Sequence, residues 1–372
     1  MNHSIAELSN LVKDFAREAG FELSGIAPLR DFVELEQFPR WIYAGHAGEM
    51  DYLKARNDSG QLKRSSPRET FPWARSVIVC AINYNTTEPY STEIHDASRG
   101  WIARYAWSKE DYHRVVLRKL KLIEARLKEV TVASVSTDTK GPSHSDVIQT
   151  RCYVDTGPIV ERIYAKYAGV GWIGKNTCIL NQGLGSWLFL GVILTSLELP
   201  PDLPAPDRCG SCTRCIQACP TEALIAPYQL DSTKCISYLT IEKRGILPEE
   251  MRAALGRHVF GCDICQDVCP WNRKAPATNA AEFQPRERLV NPALEWLAGI
   301  TDEEFQDAFR GSPIKRSKRT GLRRNAVLAM GNSGDDKFAP VLTRLSSDED
   351  HVVSDSATWA LRRLRGASTK LA

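Results

Sequence analysis

The sequence predicts a multidomain α+β protein in three parts: an α/β domain over residues 1–200, a cysteine module over 201–285 and a helical tail over 286–372. Three observations carry this prediction. Helix-type and strand-type apolar periods alternate through the first 200 residues, the pattern of layered α/β structure. Eight of the 11 cysteines fall between Cys209 and Cys269. Beyond them a small-residue helical pattern recurs at an offset of 31, with Ala326 and Ala329 matching Ala357 and Ala360.

The elements follow in order. Ile5, Leu8, Leu11, Val12 and Phe15 predict a helix over 4–19, with Ser4 as N-cap and Gly20 as the stop. A strand is expected through Phe21–Ile26, then a loop leading into a helix between Trp41 and Arg56. The β-branched run Ser76–Ile82 reads as a buried strand. Val115, Val116, Leu120, Ile123 and Leu127 predict a helix over Asp111–Lys128, whose basic outer face is read as solvated. Strand patterns recur at 130–136, 150–154 and 187–196, with a helix at 159–168. Pro200–Pro206 is a proline-rich connector into the cysteine module, where helices are expected at 213–224 and 248–257. In the tail, Phe338–Leu345 adds a short apolar helix. Fewer than two full repeats cannot bury a core alone, so the tail should pack on the cysteine module.

Forty-eight basic residues against 45 acidic ones leave a net charge of +3, so binding to a polyanion must come from local clustering. The N-terminus has no apolar signal-peptide core, and the longest apolar run, around Trp187–Leu194, is too short to span a bilayer. A soluble protein of the reducing cytoplasm is expected. Cys80, Cys152 and Cys178 each sit beside apolar residues and read as buried thiols.

The other eight cysteines have a pattern of their own. Cys209-x2-Cys212-x2-Cys215-x3-Cys219-Pro220 is the bacterial ferredoxin spacing for a [4Fe–4S] cluster, whose fourth cysteine ligates the neighbouring cluster. The second run, Cys262-x2-Cys265-x3-Cys269-Pro270, lacks its first cysteine, because Val259 stands there. Cys235 is the only cysteine between the runs and the natural replacement. The spacing therefore assigns Cys209, Cys212, Cys215 and Cys269 to one cluster, and Cys219, Cys235, Cys262 and Cys265 to the other. Zinc also accepts four thiolates, and a disulfide frame is a further alternative, but neither explains three-cysteine runs with Cys-Pro endings.

Three further constellations stand out. Asp155 follows a predicted strand and precedes a helix, where α/β domains bind ligands; it is equally placed for a turn or an N-cap. Gly169–Asn176 almost matches a phosphate-binding loop, but position 176 is Asn and the glycines follow a helix instead of a strand, which argues against ATP. Arg310, Lys315, Arg316, Lys318, Arg319, Arg323 and Arg324 place seven cations within 16 residues without one acid, either a nucleic-acid footprint or a solvated face. Lys243 and Arg244 could extend that patch.

These stretches together resemble one family, epoxyqueuosine reductase, over nearly the whole chain. The resemblance rests on Gly48-Glu49-Met50, Asp111-Tyr112-His113, Val154-Asp155-Thr156-Gly157-Pro158, Gly171-Trp172-Ile173-Gly174-Lys175-Asn176, Cys235-Ile236-Ser237-Tyr238-Leu239, Gly261-Cys262-Asp263-Ile264-Cys265-Gln266 and Cys269-Pro270-Trp271-Asn272. It implies a nitroreductase-like α/β domain that binds cobalamin, a ferredoxin-like module with two [4Fe–4S] clusters, and HEAT-like repeats. The implied reaction is two-electron deoxygenation of epoxyqueuosine to queuosine at the tRNA wobble base. Cob(II)alamin would cycle through cob(I)alamin, fed by the clusters. Asp155 matches the family's proton donor, and burial against the corrin should raise its pKa. Arg56, Lys175 and Asn176 become candidates to hold the corrin's amides or phosphate tail, with Asp263 and Gln266 approaching from the cluster side. A cobalt-ligating histidine is not indicated, since Val116 stands where the common corrinoid signature beginning at Asp111 needs glycine. Lys243, Arg244, Lys315, Arg319, Arg323 and Arg324 would grip the anticodon stem. A flavodoxin- or ferredoxin-like electron donor and a monomeric state are also expected. The alternatives are a corrinoid reductive dehalogenase and a pure electron-transfer protein.

Overall fold

The computed structural model describes residues 2–3, 5–132 and 148–368. Ser4 and most of the strand expected over 130–136 lie outside these residues. Strands β1 (Leu23–Pro28), β2 (Ser76–Asn83), β3 (Thr150–Tyr153) and β4 (Leu188–Thr195) form one sheet in the order β1-β2-β4-β3. Every neighbouring pair is antiparallel.

Both faces of β2 are covered, so all eight of its residues are buried. The two-residue period of a strand splits them between two cores. Ile78, Cys80 and Ile82 meet Leu8, Val12 and Phe15 of helix α1 (Ile5–Glu18), with Val116, Leu120 and Ile123 of helix α2 (Tyr112–Glu129). Val77, Val79 and Ala81 face the other way, against Tyr164 and Ala165 of helix α3 (Glu161–Tyr167).

The cysteine module and the tail share a third core. Tyr238 and Leu239 of helix α4 (Ile236–Ile241) and Val259 and Phe260 of strand β5 (His258–Phe260) pack with Leu322, Ala326 and Ala329 of helix α5 (Lys318–Ser333). Ala357 and Ala360 of helix α7 (His351–Ser368) complete it; helix α6 (Ala339–Leu345) lies between α5 and α7 in sequence. Small residues let α5 and α7 approach closely, and a Cβ on Gly331 would lie 2.7 Å from the Cα of Ala360. Ile102, Ala106 and Trp107 from the first 200 residues join the same core, and β5 pairs in parallel with Trp101–Ile102.

Two expected helices are shorter than the sequence suggests. The first is only Arg214–Gln217, because Pro220 disfavours helix at the preceding residue, and the chain continues as strand Leu224–Ala226. The second is Glu249–Arg252 followed by a 3-10 turn, Ala253–Leu255. The helix expected after Trp41 lies earlier, at Gln37–Tyr43, and only a 3-10 turn, Asp51–Lys54, follows it. This segment docks on the cysteine module: Trp41 Nε1 donates to Leu230 O (2.6 Å) and Glu49 N donates to Tyr238 Oη (2.9 Å). Among the described residues no helix is long and apolar enough to cross a membrane.

Candidate active site

Cys269 lies within electrostatic reach of Cys209, Cys212 and Cys215, and Cys235 within reach of Cys219, Cys262 and Cys265. Burial, with the charges of Cys209, Cys215 and Cys212, pushes the Cys269 thiol up to about 11. Cys269 and Cys209 also share the apolar cluster of Trp172 and Leu180. In the other group burial raises Cys235, with Cys219 adding to it. Burial and Cys235 raise Cys262, while contact with Cys178, burial, Cys262 and Cys235 raise Cys265. Val259, at the position the regular repeat would give to cysteine, is fully buried in the apolar core. Among the described residues no group of three or more His, Cys, Asp or Glu side chains converges on a single metal ion. Eight soft thiol donors in two quartets suit the larger frame of two iron–sulfur clusters.

The glycine-rich loop serves these quartets. Lys175 Nζ donates to Gly210 O (2.6 Å) and Cys212 O (3.0 Å), and Asn176 Nδ2 donates to Cys265 O (3.3 Å). Both side chains brace cysteine loops, and neither lines the cavity described below. Asp263 is likewise turned away: its buried carboxylate accepts the Arg104 backbone N–H at 2.5 Å. Arg56 donates to Gly60 O at 2.6 Å within its own loop and also stays out of the cavity wall. Gln266 alone of these candidates lines the cavity, where its Oε1 accepts from Ser186 Oγ (2.8 Å).

That cavity, of about 1290 Å³, lies between the sheet domain and the cysteine module. It exceeds the ~300–1,000 Å³ usual for small-molecule sites. Aromatic side chains, among them Trp41, Tyr84, Tyr105, Tyr112 and Phe189, form much of its wall, with Tyr112 stacked on Phe189 at 4.3 Å. Trp172, also in the wall, has a buried Nε1 without a hydrogen-bond partner among the described residues. A wide aromatic slot of this volume fits a large macrocycle. Cys178 lines the same cavity and contacts Cys265, so one thiol touches both the quartet and the cavity. The sequence reading passed over it as a buried thiol.

Asp155 faces this cavity from the turn after β3. Tyr112 Oη donates to its Oδ2 at 3.0 Å, and His113 Nε2 lies 3.9 Å from the same oxygen. Asp111 caps α2 by accepting from His113 N and sits 2.8 Å from His113 Nδ1, fixing the imidazole. Burial would raise Asp111, but the bonds from His113 outweigh it and hold the carboxyl below its usual range. The Asp155 side chain is 69% exposed. It is therefore an open acid at the cavity wall. Beside it, burial pushes the Glu161 carboxyl up to about 8 with help from the Asp155 charge.

The tail departs furthest from expectation. Arg324 is buried and donates to Lys243 O (2.9 Å), Gly245 O (2.7 Å) and Leu239 O (2.7 Å). Arg323, also buried, bonds Ala298 O and pairs with Asp348 at 2.5 Å. Arg319 bonds Ile300 O and pairs with Asp302 at 2.8 Å. All three staple helix α5 to its neighbours; Arg323 and Arg324 are spent inside the fold, while Arg319 stays half-exposed. Lys243 pairs with Glu49, and Arg244 donates to Arg316 O (2.8 Å). Lys315 bonds Gln306 Oε1 (2.7 Å) and stays half-exposed; Arg310, Arg316 and Lys318 are exposed beside it.

Paired thiol quartets next to a macrocycle-sized cavity, with an acid on its wall, define an iron–sulfur oxidoreductase. Comparison with known proteins gives the particular family. A family model described as a 4Fe-4S double cluster binding domain matches residues 208–272, and one described as epoxyqueuosine reductase QueG, DUF1730, matches residues 64–156. The chain is 38% identical to the epoxyqueuosine reductase of Xanthomonas campestris over 354 residues, covering 94% of each chain. With that of Synechocystis it shares 44% identity over 307 residues, 81% of this chain and 98% of the relative. An epoxyqueuosine reductase crystallised with a tRNA-Tyr epoxyqueuosine-modified stem loop superposes with a TM-score of 0.83 at 31% identity, covering 97% of this chain and 91% of that one. The Bacillus subtilis enzyme with its catalytic loop swung out of the active site gives 0.82 at 30% identity, over 97% and 91%. This chain belongs to the epoxyqueuosine reductase family. Membership disfavours the dehalogenase and electron-carrier alternatives.

Proposed function

We infer that this chain is a cobalamin-dependent oxidoreductase that removes the epoxide oxygen of epoxyqueuosine in tRNA, the last step of queuosine biosynthesis. The balance is simple: two electrons and two protons convert the epoxide to an alkene and release water. Cobalamin, when bound, supplies the low-potential electron pair, and the two clusters replenish it one electron at a time. The observation that carries this reading is Asp155, an acid at the wall of a cavity whose far side includes Gln266 and Cys178 next to a thiol quartet. Asp155 delivers a proton to the departing oxygen, where negative charge would otherwise build up. Tyr112 and His113 orient the carboxyl.

Cys209, Cys212, Cys215 and Cys269 hold one cluster; Cys219, Cys235, Cys262 and Cys265 hold the other. Tyr112, Trp172 and Gln266 would serve the corrin, and Asp155 would face it. We read residues 1–200 as a nitroreductase-like domain, 201–285 as ferredoxin-like and 286–372 as HEAT-like. The paired packing of α5 on α7 supports the last of these. Exposed Arg310, Lys315, Arg316 and Lys318 contact tRNA phosphates, while the epoxyqueuosine base enters the cavity. A flavodoxin- or ferredoxin-like carrier supplies electrons to a cytoplasmic monomer.

The test is direct. Protein with both clusters and cobalamin, given a low-potential reductant under argon, should convert epoxyqueuosine to queuosine in tRNA, read by mass spectrometry of digested nucleosides. Fully loaded protein that leaves the epoxide intact would end this reading.

A further inference from the structure

The turn carrying Asp155 is strained. Thr156 N–H donates to Val154 O at 2.7 Å, closing a three-residue turn whose central residue, Asp155, has φ +58°. Such γ-turns with positive φ are rare and strained, and a Cβ makes them worse. A turn of this kind persists only when its surroundings over-determine it. Three contacts do so here. Tyr112 Oη holds the Asp155 carboxylate at 3.0 Å. The Tyr153 ring packs on Gly157, where a Cβ would approach to within 2.4 Å. Glu161 Oε1 accepts the Asp155 backbone N–H at 2.8 Å.

Only the last of these grips the backbone at the strained residue itself. Glu161 opens helix α3, so its side chain is carried on a packed element and reaches back six residues to the turn. The charged and titratable groups around it are Asp155 on the turn, Arg64 from the 3-10 segment Lys63–Ser65, Arg162 beside it and Tyr112 from α2. We propose that Glu161 is a positioning residue that latches the Asp155 turn against the cavity through this single backbone hydrogen bond. The inference rests on the reading of Asp155 as the proton donor, and it adds a residue that acts through Asp155 from the cavity wall. It also assigns work to a half-buried carboxyl that the reaction itself leaves unused.

Reach can be isolated by two substitutions. Glu161→Gln keeps an oxygen at the same distance and stands in for a carboxyl that burial keeps largely protonated near neutral pH. Glu161→Asp keeps the acid but is one methylene too short to reach the Asp155 N–H. The Asp variant should lower kcat by about 3–10-fold, the Boltzmann weight of one neutral hydrogen bond, with unchanged affinity for tRNA. The Gln variant should stay within about twofold of wild type. Hydrogen exchange of the peptide spanning residues 150–160 should accelerate in the Asp variant and not in the Gln variant. An Asp variant with wild-type turnover and exchange, or a Gln variant as slow as the Asp variant, would overturn the latch. Asp155→Asn measured in parallel separates the two claims. If that variant turns over normally, the proton-donor reading fails, and the exchange data alone then decide whether Glu161 holds the turn.

Discussion

Tyr112 and Asp155 are joined by a 3.0 Å hydrogen bond in which the phenol donates to the carboxylate. The contact ties the start of helix α2 to the end of strand β3, two elements separated by 43 residues in sequence. It aims the acid into the cavity while burial raises the phenol far above its ordinary range, helped by the Asp155 charge. The tyrosine is therefore a fixed donor and does not compete for the transferred proton.

Asp155→Asn should retain both clusters and tRNA binding yet lose about 10²–10⁴ in single-turnover deoxygenation, the usual contribution of general acid catalysis. Tyr112→Phe should cost about 10–100-fold, the worth of one hydrogen bond to a charged acceptor. Pre-reduced protein makes both measurements independent of electron supply. A phenylalanine variant slower than the asparagine variant would reverse the two assignments.

The tail cations should divide into two classes. Arg324→Ala strands the carbonyls of Leu239, Lys243 and Gly245 and should destabilise the fold by about 3–5 kcal/mol. Replacing Lys315, Arg316 and Lys318 together by alanine should leave the unfolding midpoint nearly unchanged. It should lower the log–log salt slope of tRNA binding by roughly 2–3. Equal effects of the two sets on stability would contradict the burial seen here.

Cys235→Ala should lose one cluster and keep the other, halving the iron found after anaerobic reconstitution. Cys178→Ala should keep the iron of both, since Cys178 is a neighbour of the quartet and no part of it. Iron analysis with electron paramagnetic resonance distinguishes the cases, and full iron in the Cys235 variant would break the crossed assignment.

His258 supplies a pH dependence of known sign. Burial lowers its pKa to about 4 from an ordinary 6.5, while its Nδ1 lies 2.9 Å from Leu255 O. The unfolded chain therefore takes up the proton first, and stability is lost as pH falls from about 6.5 toward 4. His258→Asn keeps a donor near Leu255 O but does not titrate. Its unfolding midpoint should fall less steeply between pH 6.5 and 5 than that of wild type, whatever the offset between the two curves. Parallel curves would assign the acid sensitivity to other groups.

The sequence by itself determined the double-cluster cysteine module, the helix and strand periods around β2 and α2, and the motifs that mark the family. These are local quantities: thiol spacing sets what one loop can reach, and burial on two faces writes a continuous apolar run into a strand. Only the tertiary structure decided what the charged residues do. Arg323 and Arg324 look like phosphate-binding cations in a stretch without acids, yet their partners are carbonyls and Asp348, which arrive from distant segments. Lys175 and Asn176 turn to the cysteine loops, Glu161 to the backbone of Asp155, and Cys178 to Cys265 for the same reason. A long polar side chain is satisfied by whatever packing brings within about 3 Å, and one-dimensional order does not contain that distance.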